Sequence, residues 1–150
     1  IAINCSEIDI LVSQLLRKLK RQQDKKSQGN TEEKNFQKRR IVCGAHEALK
    51  YAQTGKVRMV IHAKNLDEKN VRASSNFHSL QRICPINEIP LVEAMTKKEL
   101  SRIVNKFPYV SVIGVINYEG FESEFDEVVR EWRSSDSFRN FHIDQSSILP

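Results

Sequence analysis

From residue 39 onward, strand-like and helix-like hydrophobic patterns alternate along the chain. The β-rich apolar runs are residues 57–63, 89–95 and 110–118. Runs with the three-to-four spacing of an amphipathic helix are residues 44–53, 73–84 and 121–132. Alternating units of this kind fold into a sheet that is covered by helices on both faces. The sequence therefore predicts a three-layer α/β/α sandwich with a central mixed sheet of about four strands.

Local signals mark where two of the predicted helices begin. Thr96 is followed three positions later by Glu99, which is the capping-box pattern at a helix N-terminus. Ser6 and Asp9 have the same spacing before an apolar stripe that runs from Ile8 to Leu19. We therefore predict helices that begin after residues 6 and 96.

The positive charge is concentrated in the first forty residues. Residues 1–40 contain ten Lys or Arg and five Asp or Glu, whereas residues 41–150 contain fourteen of each. A basic arm attracts polyanions, although many such arms are simply solvated. We predict a basic N-terminal helix and linker at 1–38, in which the polar, non-periodic residues 22–35 form a loop or linker. A globular domain at 39–133 and a polar tail at 134–150 follow. The apolar stripe of the helix is expected to pack on the domain or on a segment outside this chain.

The composition argues against a membrane protein and a disulfide-rich secreted protein. Hydrophobic residues make up 39% of the chain, and no apolar run reaches the ~20 residues of a membrane span. The chain begins at Ile1 without a signal peptide, so we interpret it as a segment of a larger protein. Cys5, Cys43 and Cys84 lie far apart, which favours reduced thiols. We expect a monomer in the cytoplasm or the nucleus.

A glycine, a glutamate and several cations lie together at residues 39–50, RRIVCGAHEALK. Gly44 has no side chain to obstruct the approach of a ligand backbone, and the helix start offers unpaired N–H groups to phosphate. Glu47 can accept hydrogen bonds from guanine, while Arg39, Arg40 and Lys50 neutralise phosphates. Alone, this stretch is equally compatible with an ordinary basic loop that precedes a helix.

A second basic cluster precedes the strongest predicted strand. It contains Lys97, Lys98, Arg102 and Lys106, and the apolar segment FPYV follows at residues 107–110. A helix start with cations and an apolar loop would suit RNA with an extruded base, because unstacked bases pack on apolar or aromatic groups. Plain packing of Phe107 and Tyr109 explains the pattern equally well.

Sequence signatures of catalysis are missing. The chain lacks GxGxxG, the phosphate-loop pattern, GxSxG and HExxH, and its four His residues lack metal-ligand spacing. His62 lies in an apolar strand, which favours a hydrogen-bonded core residue. Cys43 near a helix N-terminus, with His46 three residues later, is a conceivable nucleophile that still needs an orienting partner and a cleft. We predict a protein that is not an enzyme and needs no cofactor or metal.

Four segments in this order resemble the ribosomal kink-turn-binding family. They are GxxExxK at residues 44–50, the strand at 57–63, IPLVEAMTKKELSRIVNK at 89–106 and VSVIGV at 110–115. The extension SVIGVINYEGFESEF, residues 111–125, further resembles the branch of that family that recognises selenocysteine insertion sequences (SECIS elements) in mRNA. The resemblance covers about residues 8–132.

The resemblance implies roles for individual residues. Glu47 would contact a guanine of tandem sheared G·A pairs, with Gly44 beside it and Lys50 on a phosphate. Lys97 matches a second basic contact of the family, and Pro108, Tyr109 and Val110 match its apolar recognition loop. At position 46 the family usually has Asn, whereas this chain has His46.

The resemblance also implies partners. They are the SECIS stem–loop of selenoprotein mRNAs and, for the complete protein, the ribosome and the selenocysteine-specific elongation factor. The resulting function is selenocysteine incorporation at UGA codons. Two alternatives are a generic ribosomal or small-RNP kink-turn-binding protein and a protein-interaction module like the related domain of translation-termination factors.

Overall fold

A four-stranded mixed sheet forms the centre of the molecule. The computed structural model describes residues 6–27, 39–66, 71–106, 109–136 and 138–139. In chain order the elements are α1 (Glu7–Ser27), β1 (Ile41–Cys43), α2 (Ala45–Gln53), β2 (Met59–His62), α3 (Val71–Ile86), β3 (Leu91–Glu93), α4 (Lys97–Val104), β4 (Val112–Val115) and α5 (Glu122–Arg133). The strand order is β1-β4-β2-β3, with β2 parallel to β3 and β4 antiparallel to β1 and β2. The predicted mixed sheet is confirmed.

Helices cover both faces of this sheet, as the alternating pattern predicted. On one face α2 packs against β1, β4 and α3, and on the other α1 packs across α4 and α5. Gly114 in β4 allows α2 to approach the sheet closely. A Cβ atom at Gly114 would lie 3.0 Å from Val42 Cγ2 and 3.5 Å from Ala48 Cβ. The glycine therefore sets how tightly α2 sits on the strands.

The hydrogen-bonded strands are shorter than the apolar runs that predicted them. The run at 57–63 contains β2 over Met59–His62 only, although Val57 and Ala63 on either side are also buried. Burial extends beyond the paired backbone, so hydrophobicity overestimates strand length. Conversely, the helix predicted at 73–84 extends over Val71–Ile86 and includes Pro85 in its last turn. The predicted stop of α2 at Thr54 and Gly55 is confirmed.

The N-terminal helix α1 belongs to the core of the domain. Its apolar stripe is fully buried at Val12, Leu15, Leu16 and Leu19. The stripe therefore packs on the domain, which is one of the two alternatives that the sequence left open. Although α1 has 21 residues, neither it nor another helix in the described ranges is long and apolar enough to cross a membrane.

The prediction of a linker from residue 22 is wrong for residues 22–27, which are the last turns of α1. Lys20 Nζ lies 2.6 Å from Asp24 Oδ1 and supports the helix locally. Gln23 Oε1 accepts hydrogen bonds from the backbone N–H groups of Arg40 at 2.7 Å and Ile41 at 3.0 Å. Gln23 thereby covers part of the exposed edge of β1, whose unpaired backbone groups need such partners. Residues 28–38 of the predicted linker lie outside the described residues.

The described part of the polar tail expected from residue 134 contributes an apolar contact. Phe138 is half-buried, and its ring packs edge-on against Trp132 with the ring centroids 4.9 Å apart. Trp132 is buried in α5, and its indole N–H donates to Leu91 O at 3.0 Å. The tail therefore begins with a short segment packed on α5, and residues 140–150 lie outside the described residues.

Candidate nucleic-acid interface

One edge of the sheet brings together segments from all four strands. β1, β2 and β3 end at this edge and β4 begins there. Gly44 N–H donates to Val112 O at 2.7 Å, Ala63 N–H to Ser111 O at 2.8 Å, and Ala94 N–H to His62 O at 3.0 Å. We call this the Gly44 edge, defined by Gly44, Ala63, Ala94 and Ser111. Because α2 follows β1 and α4 follows β3, both helices begin at this edge, on opposite faces of the sheet.

Gly44 immediately precedes α2 in a conformation that suits glycine. Its φ of 103° lies in the region that residues with a Cβ atom rarely adopt, and no side chain caps the helix start. A Cβ atom at this position would meet no described atom within 4 Å. The glycine is therefore required by backbone conformation, and the space outside it is open to a ligand.

The first two turns of α2 present the side chains that the sequence singled out. Glu47 is partly exposed, and no described residue forms a hydrogen bond or an ion pair with its carboxylate. His46 and Lys50 are exposed. Lys50 Nζ lies 5.7 Å from the centroid of the buried Tyr51 ring. Glu47 thus offers an acceptor next to a helix N-terminus and a cation, which is an arrangement suited to a ligand that carries both N–H donors and negative charge.

The start of α4 supplies cations at the same edge, and an exposed aromatic ring from the segment before β4 lies beside them. The predicted capping box is confirmed, since Glu99 N–H donates to Thr96 Oγ1 and Thr96 N–H donates to Glu99 Oε2, both at 3.2 Å. Lys97 Nζ lies 5.9 Å from the centroid of the Tyr109 ring, and Tyr109 is 62% exposed. Lys98 is exposed as well. Lys97 and Tyr109 therefore form one cationic and aromatic patch.

Tyr109 and Val110, in the segment before β4, face in opposite directions. Tyr109 points to solvent, whereas Val110 is 6% exposed and belongs to the core, with its N–H donating to Ser101 Oγ. Ser101 Oγ itself donates to Lys97 O at 2.7 Å, which ties this segment to α4. Val110 thus anchors the loop, and Pro108 lies outside the described residues.

Arg40 is buried and does not lie on the surface. Arg40 is 5% exposed, and its Nη1 donates to Glu119 O at 2.6 Å. Its guanidinium carbon lies 5.6 Å from the centroid of the Phe121 ring. The expectation that Arg40 neutralises phosphate is therefore corrected, since this side chain holds the turn that leads into α5.

The structure also separates Arg39 from the Gly44 edge. Arg39 precedes β1, and it lines a cavity of about 800 Å³ with Lys56 and Arg58 at the other end of the sheet. Arg39 is exposed, but it does not share a helix start with Glu47. Sequence proximity alone placed the two side chains in one cluster.

Cys43 lacks the features of an activated nucleophile. Burial raises the pKa of its thiol, against the opposing effect of the charges of Lys106, Lys20 and Arg39. A raised pKa keeps the group protonated, whereas a nucleophilic cysteine needs the thiolate. Lys20 and Lys106, which were not among the predicted site residues, act on this thiol electrostatically, as does Arg39. Within the described ranges, no three or more His, Cys, Asp or Glu residues are grouped to hold a metal ion.

His62 is a buried core histidine, as its apolar strand predicted. It is 7% exposed, its Nδ1 lies 3.2 Å from Ala63 O, and its ring centroid lies 4.8 Å from that of Phe77. Burial lowers the pKa of His62 to about 4, and the hydrogen bond to Ala63 only partly opposes this.

This depressed pKa predicts a loss of stability in mild acid. The unfolded chain, with a histidine pKa near 6.5, binds more protons than the folded chain between pH 6.5 and 4. The contribution of His62 is therefore fully present above pH 6.5 and is lost as the pH falls toward 4, by about 3 kcal/mol in total. Urea unfolding across this range should show a smaller loss for His62→Gln than for wild type. The exposed His78→Gln variant is the control, and a wild-type-like pH profile for His62→Gln would contradict the assignment.

Comparison with known proteins places the chain in a family. Residues 27–124 match the ribosomal protein L7Ae/L30e/S12e/Gadd45 family. The chain is 31% identical over 125 residues to selenocysteine insertion sequence-binding protein 2 of Rattus norvegicus. It is 33% identical over 127 residues to selenocysteine insertion sequence-binding protein 2-like of Homo sapiens. These alignments cover 82% and 83% of this chain but only 15% and 11% of the two relatives.

A solved structure shares the fold. The Giardia lamblia 15.5kD RNA binding protein superposes with a TM-score of 0.65 at 21% identity, covering 89% of this chain and 95% of that chain. This likeness confirms the α/β/α architecture. With the match over residues 27–124, it follows that the chain belongs to the ribosomal protein L7Ae/L30e/S12e/Gadd45 family and is related to the SECIS-binding proteins.

Proposed function

We propose that this domain binds a structured RNA that contains tandem sheared G·A pairs at a kink, and that its target is the SECIS stem–loop of selenoprotein mRNAs. The observation that carries the proposal is the carboxylate of Glu47. It is partly exposed at the Gly44 edge and has no partner among the described residues. The relationship to proteins named for SECIS binding supports the choice of target.

The electrostatics of the edge favour RNA with an accessible base over plain phosphate. A lone carboxylate is repelled by phosphates unless a base donates hydrogen bonds to it and cations lie nearby. Guanine N–H groups would supply the donors to Glu47. Lys50 on α2 and Lys97 with Lys98 on α4 would supply the cations on either face of the sheet. The combination selects a specific base in a phosphate-rich surrounding.

In this proposal Tyr109 provides a second RNA contact, in addition to that of Glu47. Its exposed ring beside Lys97 can stack on an extruded base, and the lysine can contact the adjacent phosphate. Gly44 leaves open the space through which the RNA backbone approaches α2. His46, where the family usually has Asn, would lie at the margin of this contact.

The complete protein would act in selenocysteine incorporation at UGA codons. In this proposal the domain holds the mRNA as a monomer, while the ribosome and the selenocysteine-specific elongation factor bind the complete protein. The proposed site of action is the cytoplasm, with the nucleus as a second location. The names of the relatives support the SECIS element as the partner, and the chain matches a minor part of those relatives. The ribosome and the elongation factor are proposed from the family resemblance alone.

Binding to three RNAs tests the proposal. They are a SECIS stem–loop, the same stem–loop with Watson–Crick pairs in place of the G·A pairs, and a plain kink-turn of equal length. We expect the SECIS stem–loop to bind most tightly and the substituted one roughly 5- to 150-fold more weakly, because a lost base contact costs about 1–3 kcal/mol in analogous DNA complexes. Equal affinity for the SECIS stem–loop and the kink-turn would support a generic kink-turn protein. Failure to bind any of the three at moderate salt would support a protein-interaction module.

A further inference from the structure

A buried carboxylate connects α1 to the Gly44 edge. Asp9 lies in the first turn of α1 and is 7% exposed. Its Oδ1 accepts a hydrogen bond from Met95 N–H at 2.9 Å, and its Oδ2 accepts one from Lys64 Nζ at 2.7 Å. Both carboxylate oxygens are therefore occupied by groups that follow the ends of β3 and β2.

Met95, which Asp9 contacts, has an unusual backbone conformation. Its φ of 64° lies in the left-handed region, which a side chain such as methionine rarely adopts. Its N–H is held by Asp9, and its carbonyl accepts a hydrogen bond from Lys64 N–H at 2.8 Å. A conformation of this kind persists only where the surrounding structure imposes it, and such positions cluster at functional sites. Asp9 and Lys64 are the groups that impose it here.

The conformation of Met95 sets the start of α4. The next residue, Thr96, is the N-cap, and Lys97 is the first helical residue. Lys97 N–H donates to Asn65 Oδ1 at 2.9 Å, so the neighbour of Lys64 holds the same helix start. The backbone of residues 95–97 is thus held by the side chains of Asp9 and Asn65 and by the backbone N–H of Lys64.

We propose that Asp9 is a positioning residue for RNA binding by Lys97. Asp9 holds Met95 in its left-handed conformation, which directs the N-terminus of α4 and the Lys97 side chain toward the Tyr109 ring. The N-terminal helix therefore increases RNA affinity through the backbone of residues 95–97, without a contact of its own at that point. This inference rests on the proposed RNA-binding function.

Affinity measurements on matched variants test this role. The variants are Asp9→Ala, which removes both acceptors, and Asp9→Asn, which keeps one acceptor for Met95 N–H. The control is Lys18→Gln, which breaks the 2.9 Å ion pair between α1 and Glu124 on α5 and lies outside the network. Binding of the SECIS stem–loop is measured at a temperature at which circular dichroism shows each variant fully folded. We expect a loss on the order of fivefold for Asp9→Ala, typical of coupled neighbouring groups, and losses below about twofold for the other two.

A double-mutant cycle separates positioning from general stability. Lys97→Gln should cost much less affinity in the Asp9→Ala background than in wild type, because a misdirected Lys97 has little contact left to lose. Lys50→Gln should cost the same in both backgrounds. Additive effects of Asp9→Ala and Lys97→Gln would overturn the proposal.

Hydrogen exchange gives a readout that needs no RNA. In Asp9→Ala we expect faster exchange at the amides of Met95 and Lys97 than in wild type, with α5 unchanged. Equal acceleration in α5 would indicate general destabilisation and would overturn the positioning role. If wild type does not bind the stem–loop, the proposed function fails. If wild type binds and Asp9→Ala binds equally well, only the inference about Asp9 fails.

Discussion

Glu47→Ala is expected to abolish the preference of the domain for a SECIS stem–loop over the same stem–loop without its G·A pairs. The carboxylate has no partner among the described residues, so its removal should leave the fold intact and remove only the contact to guanine. The loss on the G·A-containing RNA should be roughly 5- to 150-fold, as expected for a base contact of about 1–3 kcal/mol. Filter binding or electrophoretic mobility shift with both RNAs measures the ratio of affinities.

Two comparison variants make the Glu47 result specific. Asp126→Ala removes the same charge from an exposed position on α5 and should change neither affinity. Lys50→Gln should weaken both RNAs alike and reduce the salt slope of binding by about one, because a phosphate contact carries no sequence information. If Glu47→Ala weakens both RNAs equally, Glu47 does not act on a specific base.

Leu16→Ala is expected to lower the free energy of unfolding of the whole domain by about 2–5 kcal/mol, which is the usual cost of truncating a fully buried leucine. Leu16 lies in α1 and is 0% exposed. It is one of the fully buried leucines of α1, and this helix packs on α4 and α5. Urea unfolding followed by circular dichroism and by Trp132 fluorescence should give one coincident transition, since Trp132 lies on the neighbouring helix α5.

A matched substitution on the same helix controls for helix propensity. Ile10 is 44% exposed, and Ile10→Ala should change the free energy of unfolding by less than about 1 kcal/mol. A small effect of Leu16→Ala, or separate transitions for α1 and the sheet, would contradict the packing of α1. The same reasoning predicts that deletion of residues 1–38 destabilises the domain, so loss of RNA binding after such a deletion would not by itself assign RNA contacts to the arm.

Local sequence signals predicted the helices and strands well where the interacting residues are close in sequence. The Thr96 and Glu99 capping box, the stop of α2 at Thr54 and Gly55, and the buried strand around Ile113 depend on neighbours within a few positions. Gly44, Glu47 and Lys50 were likewise found as one motif, because one helix start presents all three. Their assignment to RNA contacts stays a prediction until the variants are measured.

Local sequence signals failed to predict the structure where the interacting residues are far apart in the chain. Residues 22–27 are polar and lack periodicity, yet they are helical because Gln23 bonds the backbone at Arg40, 17 positions away. Arg40 looked like a phosphate contact in a basic pair, but its guanidinium is enclosed by the turn at Glu119. No pattern in the sequence marks either contact, since each depends on how the elements dock.

By itself, the sequence determined the α/β/α class, the helix starts after residues 6 and 96, and the grouping of Gly44, Glu47 and Lys50 at one helix start, because periodicity, capping and backbone preference act over a few neighbouring residues. The tertiary structure alone decided which cations share the Gly44 edge, that Arg40 is a core residue, and that α1 is an integral part of the domain. It also brought Asp9 to Met95 across 86 positions. Such long-range contacts are set by the packing of complete elements, which a residue's sequence neighbours do not specify.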